Sequence, residues 1–427
     1  MADRTLEVWC SDEHAGIVVD ESNGMGFTYA ESWRAAARPP LSHSLPLEGS
    51  YTTTTAVEAF FGGLLPEGAP RERVARNLGV SADNDFALLA ALGGDTAGAI
   101  SLLAPGERPA PVGRVVQWLS ESELATLIDE LPSRPLHADE DGEYRLSLAG
   151  AQDKLPVVLG ADGQIGLTKG RTPSTHILKT PIAGHDGTIA NEALCPAIGR
   201  ILGIETVHTS PRRVAGREFL LVERYDREHT EDAVRRLHQE DFCQALGIPA
   251  RRKYQNEGGP GLEDCFALLR EAVAVPAREA LKLLDAVVLS FLIGNNDAHG
   301  KNYSLLYLPD SPKATLAPAY DLLSTAVYPG LSRKMAMSIG GEYRPDYVQP
   351  RHLNQLMEQA GLGPAAARRR IRALADSAPS AAHQANASLT EEGWSAPVLA
   401  RIVETVEKRA SRMLEIAAPA PARVRAG

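Results

Sequence analysis

The sequence predicts an α+β chain in which a β-rich first half gives way to a mainly helical second half. Three observations carry that prediction. Residues 4–30 alternate in polarity and hold the turn string Ser22-Asn23-Gly24, the pattern of a β-hairpin. From Tyr144 the chain reads strand, turn, strand, with LPVVLG (155–160) and QIGLTKG (164–170) on either side of the dipeptide Asp162-Gly163, a hairpin-turn signal. After Asp226 the apolar residues of DFCQALG, LEDCFALLREAV and AREALKLLDAVVLSFLIGN recur at three- and four-residue intervals, the period of an amphipathic helix.

Between these regions the elements follow in order. Residues 55–92 read as helical, broken by a Pro66-Glu67-Gly68 turn, with Val74, Leu78, Phe86 and Leu89 on the apolar face. AGAISLLAPG (97–106) reads as a strand ending in a Pro-Gly turn, and the proline-rich stretch Pro105–Pro111 is the first boundary. Pro132–Gly142 reads as a polar, acidic loop. STHILKT (174–180) is a strand, residues 188–203 a helix ending at Gly203, and VHTSPRRV and REFLLVERYD strands again. A small antiparallel sheet with one inserted helix therefore fits residues 144–225. At the C-terminal end Val398, Leu399, Ile402, Val403, Val406, Ala410, Met413 and Leu414 form one helical face. The Ala/Pro-rich tail, residues 418–427, reads as disordered.

Bulk properties bound the function. The 427 residues suit two to three domains, and 44% hydrophobic with 23% charged residues is ordinary for a globular chain. The net charge of −10 argues against extended nucleic-acid contacts by the whole chain, because phosphates demand a basic surface. Arg368, Arg369, Arg370 and Arg372 form one local basic cluster, read as a solvated helix face with a partner or DNA contact as the lesser alternative. Cys10, Cys195, Cys243 and Cys265 show no CxxC pairing, so free thiols are expected rather than a zinc site or a disulfide framework. Neither a signal peptide nor a membrane-spanning run is visible, so a cytoplasmic chain with no membrane partner is expected.

The densest chemistry lies in IGNNDAHGKN. Phosphoryl transfer needs a group that orients the attacking hydroxyl, oxygen ligands for Mg²⁺, and a lysine and a small-residue loop for the phosphates. Kinase catalytic loops place a metal-binding Asn five residues after the catalytic Asp, and Asn302 stands five residues after Asp297. The same residue types also build ordinary turns. Tyr320-Asp321 follows after what reads as a β-hairpin, 24 residues beyond Asp297. Asp321 suits a second metal ligand or a helix N-cap. Lys179 ends an apolar strand, where it can face phosphate or simply mark a strand edge. Glu192, 13 residues on, is a candidate partner for it, with Pro196 as an objection because proline breaks a helix beyond its first turn. Ser147-Leu-Ala149-Gly150-Ala151-Gln152-Asp153-Lys154 offers small residues whose backbone can approach phosphate, or a plain turn. Glu223-Arg-Tyr225 stands where a kinase hinge reads adenine.

The order and wording of these segments resemble the HipA family of serine/threonine kinases. The strings that carry the resemblance are FFGGLLPEGAPRERVARNLG, DFALLAALGGDTAGAI, SLAGAQDK, STHILK, NEALCPAIGRILGI, LLVERYDR, KYQNEGGPG, GNNDAHGKN and AYDLLS, between residues 60 and 324. The resemblance implies a protein-kinase-like bilobal core. An extra N-terminal subdomain would occupy 1–110, a β-rich lobe 111–225 and a helical lobe 226–417. It implies Asp297 as catalytic base, Asn302 and Asp321 on Mg²⁺, and ATP held by Ala149–Lys154, Lys179, His299 and Lys301. Glu223, Tyr225 and Tyr320 would lie at the nucleotide. Ser147 matches the family's autophosphorylation position. The Gly of a kinase DFG motif is absent, the sequence reading YDLLS. The family's partners are a small helix-turn-helix antitoxin that binds DNA and a protein substrate, in well-known members an aminoacyl-tRNA synthetase. A non-catalytic corepressor and a small-molecule phosphotransferase are the competing readings.

Overall fold

The computed structural model describes residues 4–49, 51–109, 116–131, 152–168, 172–230, 234–309, 311 and 313–418. Ser147, Ala149, Gly150, Ala151, the loop 132–142 and the tail 419–427 lie outside the described residues.

Alternating strands build the first unit. β1 (Thr5–Cys10), β2 (Glu13–Glu21) and β3 (Gly24–Tyr29) form a meander that β4 (Ile100–Leu103) extends on the β1 edge. The turn at Ser22–Gly24 falls as expected, with Gly24 at φ 136°. The β1–β2 turn, with Ser11 at φ 55°, carried no such signal. α1 (Glu31–Ala35) and α2 (Thr55–Val57) follow. α2 runs into a wide turn, Glu58–Gly62, that buries Phe60 and Phe61 completely. α3 (Gly68–Leu78), α4 (Asp85–Leu92) and β4 (Ile100–Leu103) complete the unit. Val74, Phe86 and Leu89 from the helices share its core with Val8, Val18 and Phe27 from the sheet.

The second unit is a six-stranded antiparallel sheet made by β5 (Val116–Trp118), β6 (Lys154–Leu159), β7 (Ile165–Thr168), β8 (His176–Lys179), β9 (Thr209–Val214) and β10 (Arg217–Glu223), in the order β5-β7-β6-β8-β10-β9. α5 (Glu121–Glu130) packs on it through Leu124, Leu127 and Ile128. α6 (Thr188–Ile201) is inserted between β8 and β9 and continues through Pro196. The hydrogen bond that proline removes is the one to the carbonyl four residues back, at Glu192. α6 survives because Ile189, Leu194, Cys195 and Ile198 are all buried in the helical core.

The expected change to helix at Asp226 comes later. β11 (Arg227–His229), β12 (Val234–Arg236) and β13 (His238–Asp241) intervene. Their residues are mostly charged, so hydropathy is silent about them. Charge pairing inside the protein holds them instead. Arg227 and Arg236 reach buried Asp95 at 3.2 and 2.9 Å, and Arg224 reaches Asp226 at 2.7 Å. α7 (Phe242–Ala245), α8 (Leu262–Ala272), α9 (Pro276–Ile293), β14 (Ser304–Tyr307), β15 (Thr315–Leu316), α10 (Pro350–Ala360), α11 (Pro364–Glu391) and α12 (Pro397–Ile416) form the helical unit. α6 packs against α11 and α12, so the inserted helix belongs to this core. In the basic cluster on α11 Arg369 is exposed, as expected of a solvated face, whereas Arg370 bonds Asp285 and Arg372 bonds the Leu414 carbonyl in part-buried contacts, and Arg368 bonds Asn354 at the surface. All four cysteines are free thiols. Among the described residues no helix is long and apolar enough to cross a membrane.

Candidate active site

A cavity of about 570 Å³ lies where the three units meet, and most of the residues singled out by sequence line it. Lys154 and Lys179 enter from the sheet, Glu192 from α6, and Asp297, His299, Lys301, Asn302, Tyr320 and Asp321 from the helical unit. Gly63, Glu67 and Ala97 enter from the N-terminal unit.

On the sheet side, Lys154 and Lys179 are direct partners across β6 and β8. Like charges placed so repel, and two carboxylates offset them. Lys179 Nζ is ion-paired with Glu192 and bonds Asp321 Oδ1 at 2.6 Å. Burial opposes the Lys179 charge, but Asp321 and Glu192 outweigh it and hold the ammonium protonated. Burial lowers Lys154 to about 8, and the Lys179 charge adds to that against the pull of Asp321. Asp321 is held well below the usual carboxylate range, because Lys179 and Lys154 overcome its burial. Its backbone has φ 51°, a left-handed conformation uncommon outside glycine and strained in most side-chain contexts. Kinase DFG motifs carry glycine two residues after this aspartate; here that position is Leu323.

The loop after α9 is built by its asparagines. Gly294 ends the helix at φ 77°, and a Cβ there would lie 2.9 Å from that of Ala326. Asn295 accepts from the Asp297 amide at 3.1 Å and donates to the Asp321 carbonyl at 3.2 Å. Asn296 donates to the Ser332 carbonyl and accepts from Arg409 of α12 at 3.1 Å. Asp297 thus stands at the cleft mouth on a loop fixed from both sides. Burial by the surrounding protein raises its carboxyl, against a hydrogen bond from Tyr254 and the charge of Lys253. Asn302 Oδ1 accepts from the His299 amide at 3.0 Å, and its Nδ2 lies 3.5 Å from Asp321 Oδ2. Burial pushes His299 down to about 3, so its imidazole is neutral.

The opposite wall sets Lys301, expected at the nucleotide, beside Glu67, Asp241 and Lys253, for which the sequence suggests no role. Glu67, read there only as part of a turn, binds Lys253 Nζ at 2.8 Å and lies 3.7 Å from Lys301 Nζ. Lys301 also donates to Asp241 at 2.7 Å and to the Gly63 carbonyl at 3.3 Å. Lys301 therefore reaches the N-terminal unit as well as the cavity. Tyr254 donates to Asp297 Oδ1 at 3.0 Å. Arg73 of α3 is ion-paired with Asp153, and Gln152 donates to the Thr180 carbonyl at 2.8 Å, so both walls hold the end of the small-residue segment. The string KYQNEGGPG was the one visible signal for Lys253 and Tyr254.

At the inner end Tyr225 stacks on Tyr320 at 5.6 Å between ring centroids, and Glu223, the last residue of β10, lines the cavity. The Tyr320 hydroxyl bonds the Lys301 carbonyl at 2.6 Å. For a metal, Asn302 and Asp321 offer an amide and a carboxylate oxygen. Among the described residues no group of three or more His, Cys, Asp or Glu is placed to hold an ion. Such a sparse oxygen set suits Mg²⁺, which binds through one or two carboxylates plus substrate phosphates and water.

Two family models match the chain: the HipA N-terminal domain over residues 6–103 and the HipA-like C-terminal domain over residues 146–382. The Y4mE protein of Sinorhizobium fredii is 46% identical over 384 residues, which are 88% of this chain and 90% of that protein. The serine/threonine-protein kinase toxin HipA of Shewanella oneidensis is 30% identical over 390 residues, 84% of each chain. A solved structure of the Shewanella oneidensis toxin–antitoxin system, with HipA, HipB and operator DNA, superposes with a TM-score of 0.81 at 26% identity over 96% of each chain.

Proposed function

The chain belongs to the HipA family, and on that premise we propose that it is a Mg-ATP-dependent serine/threonine protein kinase acting as the toxin of a toxin–antitoxin pair. The observation that carries the reading is convergence: Lys179, Asp297, Asn302 and Asp321, spread over more than a hundred residues, line one cavity.

The cavity suits a nucleotide. Its volume of about 570 Å³ lies within the usual range for small-molecule sites. Apolar Ile177, Val207 and Val222 line it together with Lys154 and Lys179. His299 also lines it, and its buried Nδ1 has no hydrogen-bond partner among the described residues. When bound, Mg-ATP supplies the transferable phosphoryl group and the cation that neutralises its charge. Asn302 and Asp321 would hold the metal. Lys179 and Lys154 would face phosphate oxygens, and Glu223, Tyr225 and Tyr320 the adenosine side. Gln152 and Asp153, with Ala149–Ala151 before them, would cover the nucleotide. Asp297 would accept the proton of the attacking serine or threonine hydroxyl.

The target is a protein, with an aminoacyl-tRNA synthetase as the candidate from the family, and its phosphorylation would slow growth. A small helix-turn-helix antitoxin would bind the chain and connect it to DNA indirectly. Phosphorylation of Ser147 would add nearly two negative charges beside the nucleotide and weaken ATP binding.

The test is incubation with γ-labelled ATP and Mg²⁺. Label should transfer to protein and ADP should form. Asp297→Ala should lower both by ~10²–10⁴-fold. A folded wild-type chain that forms no ADP would instead support the corepressor reading.

A further inference from the structure

The segment 253–261, KYQNEGGPG, is pressed onto the loop that carries Asp297. A Cβ on Gly300 would lie 2.4 Å from Pro260 Cγ, so only glycine admits that ring. Within the segment, the amides of Glu257 and Gly259 both donate to the Tyr254 carbonyl at 2.9 Å. A Cβ on Gly259 would lie 2.2 Å from the Arg252 carbonyl oxygen, and Gly258 has φ 90°. Gln255 Oε1 accepts from the Ser338 amide at 2.7 Å. The segment is thus a rigid turn whose shape delivers two side chains to the cleft.

Those side chains are Lys253 and Tyr254. The Tyr254 hydroxyl donates to Asp297 Oδ1 at 3.0 Å, and its ring meets His299 edge-on at 5.2 Å. Lys253 lies 5.5 Å over the Tyr254 ring and bonds Glu67 of the N-terminal unit at 2.8 Å. Burial and the Asp297 carboxylate push the Tyr254 phenol up, so it stays protonated and remains a donor.

We propose that Tyr254 is a positioning residue for phosphoryl transfer: it fixes one oxygen of Asp297 and leaves the other to meet the substrate hydroxyl, while Glu67, through Lys253, keeps the segment in place. A carboxylate free to rotate would spend part of its time misaligned, and small misplacements cost rate steeply. The N-terminal unit, on this account, is joined to the chemistry through Glu67. The inference rests on the kinase reading above.

The test compares wild type with Tyr254→Phe, Glu67→Gln, Asp297→Asn and the Tyr254→Phe/Asp297→Asn double variant. ADP formation in single turnover, the ATP KM, the Kd for Mg·AMP-PNP and the melting temperature are measured. Tyr254→Phe should lower the rate about tenfold, with KM, Kd and melting temperature within twofold or a degree or so of wild type. Glu67→Gln should lower the rate about threefold, with KM and Kd within twofold of wild type and a lower melting temperature, since Lys253 and Lys301 lose their shared carboxylate. In the Asp297→Asn background Tyr254→Phe should have no further effect, since a residue acting through Asp297 has nothing left to orient. An unchanged or faster Tyr254→Phe overturns the proposal and makes the contact an obstruction to the substrate hydroxyl. A loss that multiplies with Asp297→Asn, or that follows a fall in Mg·AMP-PNP affinity, overturns it in favour of a structural role. A wild type that forms no ADP overturns the kinase reading itself, a result distinct from either.

Discussion

The cleft has two walls of the same composition and different origin. The sheet-side wall holds Lys154, Lys179, Glu192 and Asp321; the facing wall holds Lys253, Lys301, Glu67 and Asp241. Each sets two lysines against two carboxylates. In the first, Lys179 carries both acidic partners, and Lys179 and Glu192 are each only 6% exposed in their side chains. In the second, the charges form a chain, Lys253–Glu67–Lys301–Asp241, and Glu67 and Lys253 are each 16% exposed. The first wall is a hub and the second a relay. A hub fails all at once when its centre is removed, whereas a relay loses one link.

That contrast predicts a ranking. Lys179→Met should have the largest effect. It leaves Glu192 buried without its cation, and breaking a buried pair costs about 3–5 kcal/mol, readable by urea unfolding. ADP formation should fall at least ~10²-fold, as a phosphate-facing charge is lost. Glu67→Gln on the relay should cost less stability, about 1–3 kcal/mol, because Lys301 keeps Asp241 at 2.7 Å. Equal costs for the two variants would erase the distinction between hub and relay.

Arg73→Ala comes next. The Arg73–Asp153 pair is partly open to solvent, with side chains 19% and 25% exposed. Its stability effect should stay below about 1 kcal/mol, while Mg·AMP-PNP binding weakens about threefold in calorimetry through a looser Asp153 end of the small-residue segment.

The smallest effect is a pH dependence. Lys154 titrates at about 8 in the folded chain, against its ordinary 10.5. Its charge is present below that pH and lost above it, so Mg·AMP-PNP affinity should fall as pH rises from 7 to 9. Stability should move the other way: the fold disfavours the charged lysine, and that penalty is relieved as pH rises through 8 toward 10.5. Lys154→Met should flatten both curves. Parallel movement of the two would mean that Lys154 does not face phosphate.

The two walls also differ in how far they could be read from the chain. The Asp297–Asn302 interval and the strand ending at Lys179 are short-range features, and the hairpin that leads to Asp321 has a turn signal of its own. Pro196 misled because proline rules describe isolated helices, and α6 is held by burial rather than by its own hydrogen bonds. β11 to β13 escaped because charged strands leave no apolar alternation.

Sequence alone determined the α+β class, the antiparallel sheet with its inserted helix, and most of the polar residues that line the cavity, since each is encoded in local period, turn chemistry or spacing. Tertiary structure alone decided that a glutamate in an N-terminal turn bridges two lysines more than 180 residues away. It also decided that Gly300, three residues after Asp297, receives a proline ring and that Tyr254 meets Asp297. The reason is range. Periodicity and turn preference act over a few residues, whereas a buried charge takes whichever opposite charge the packed chain brings within reach.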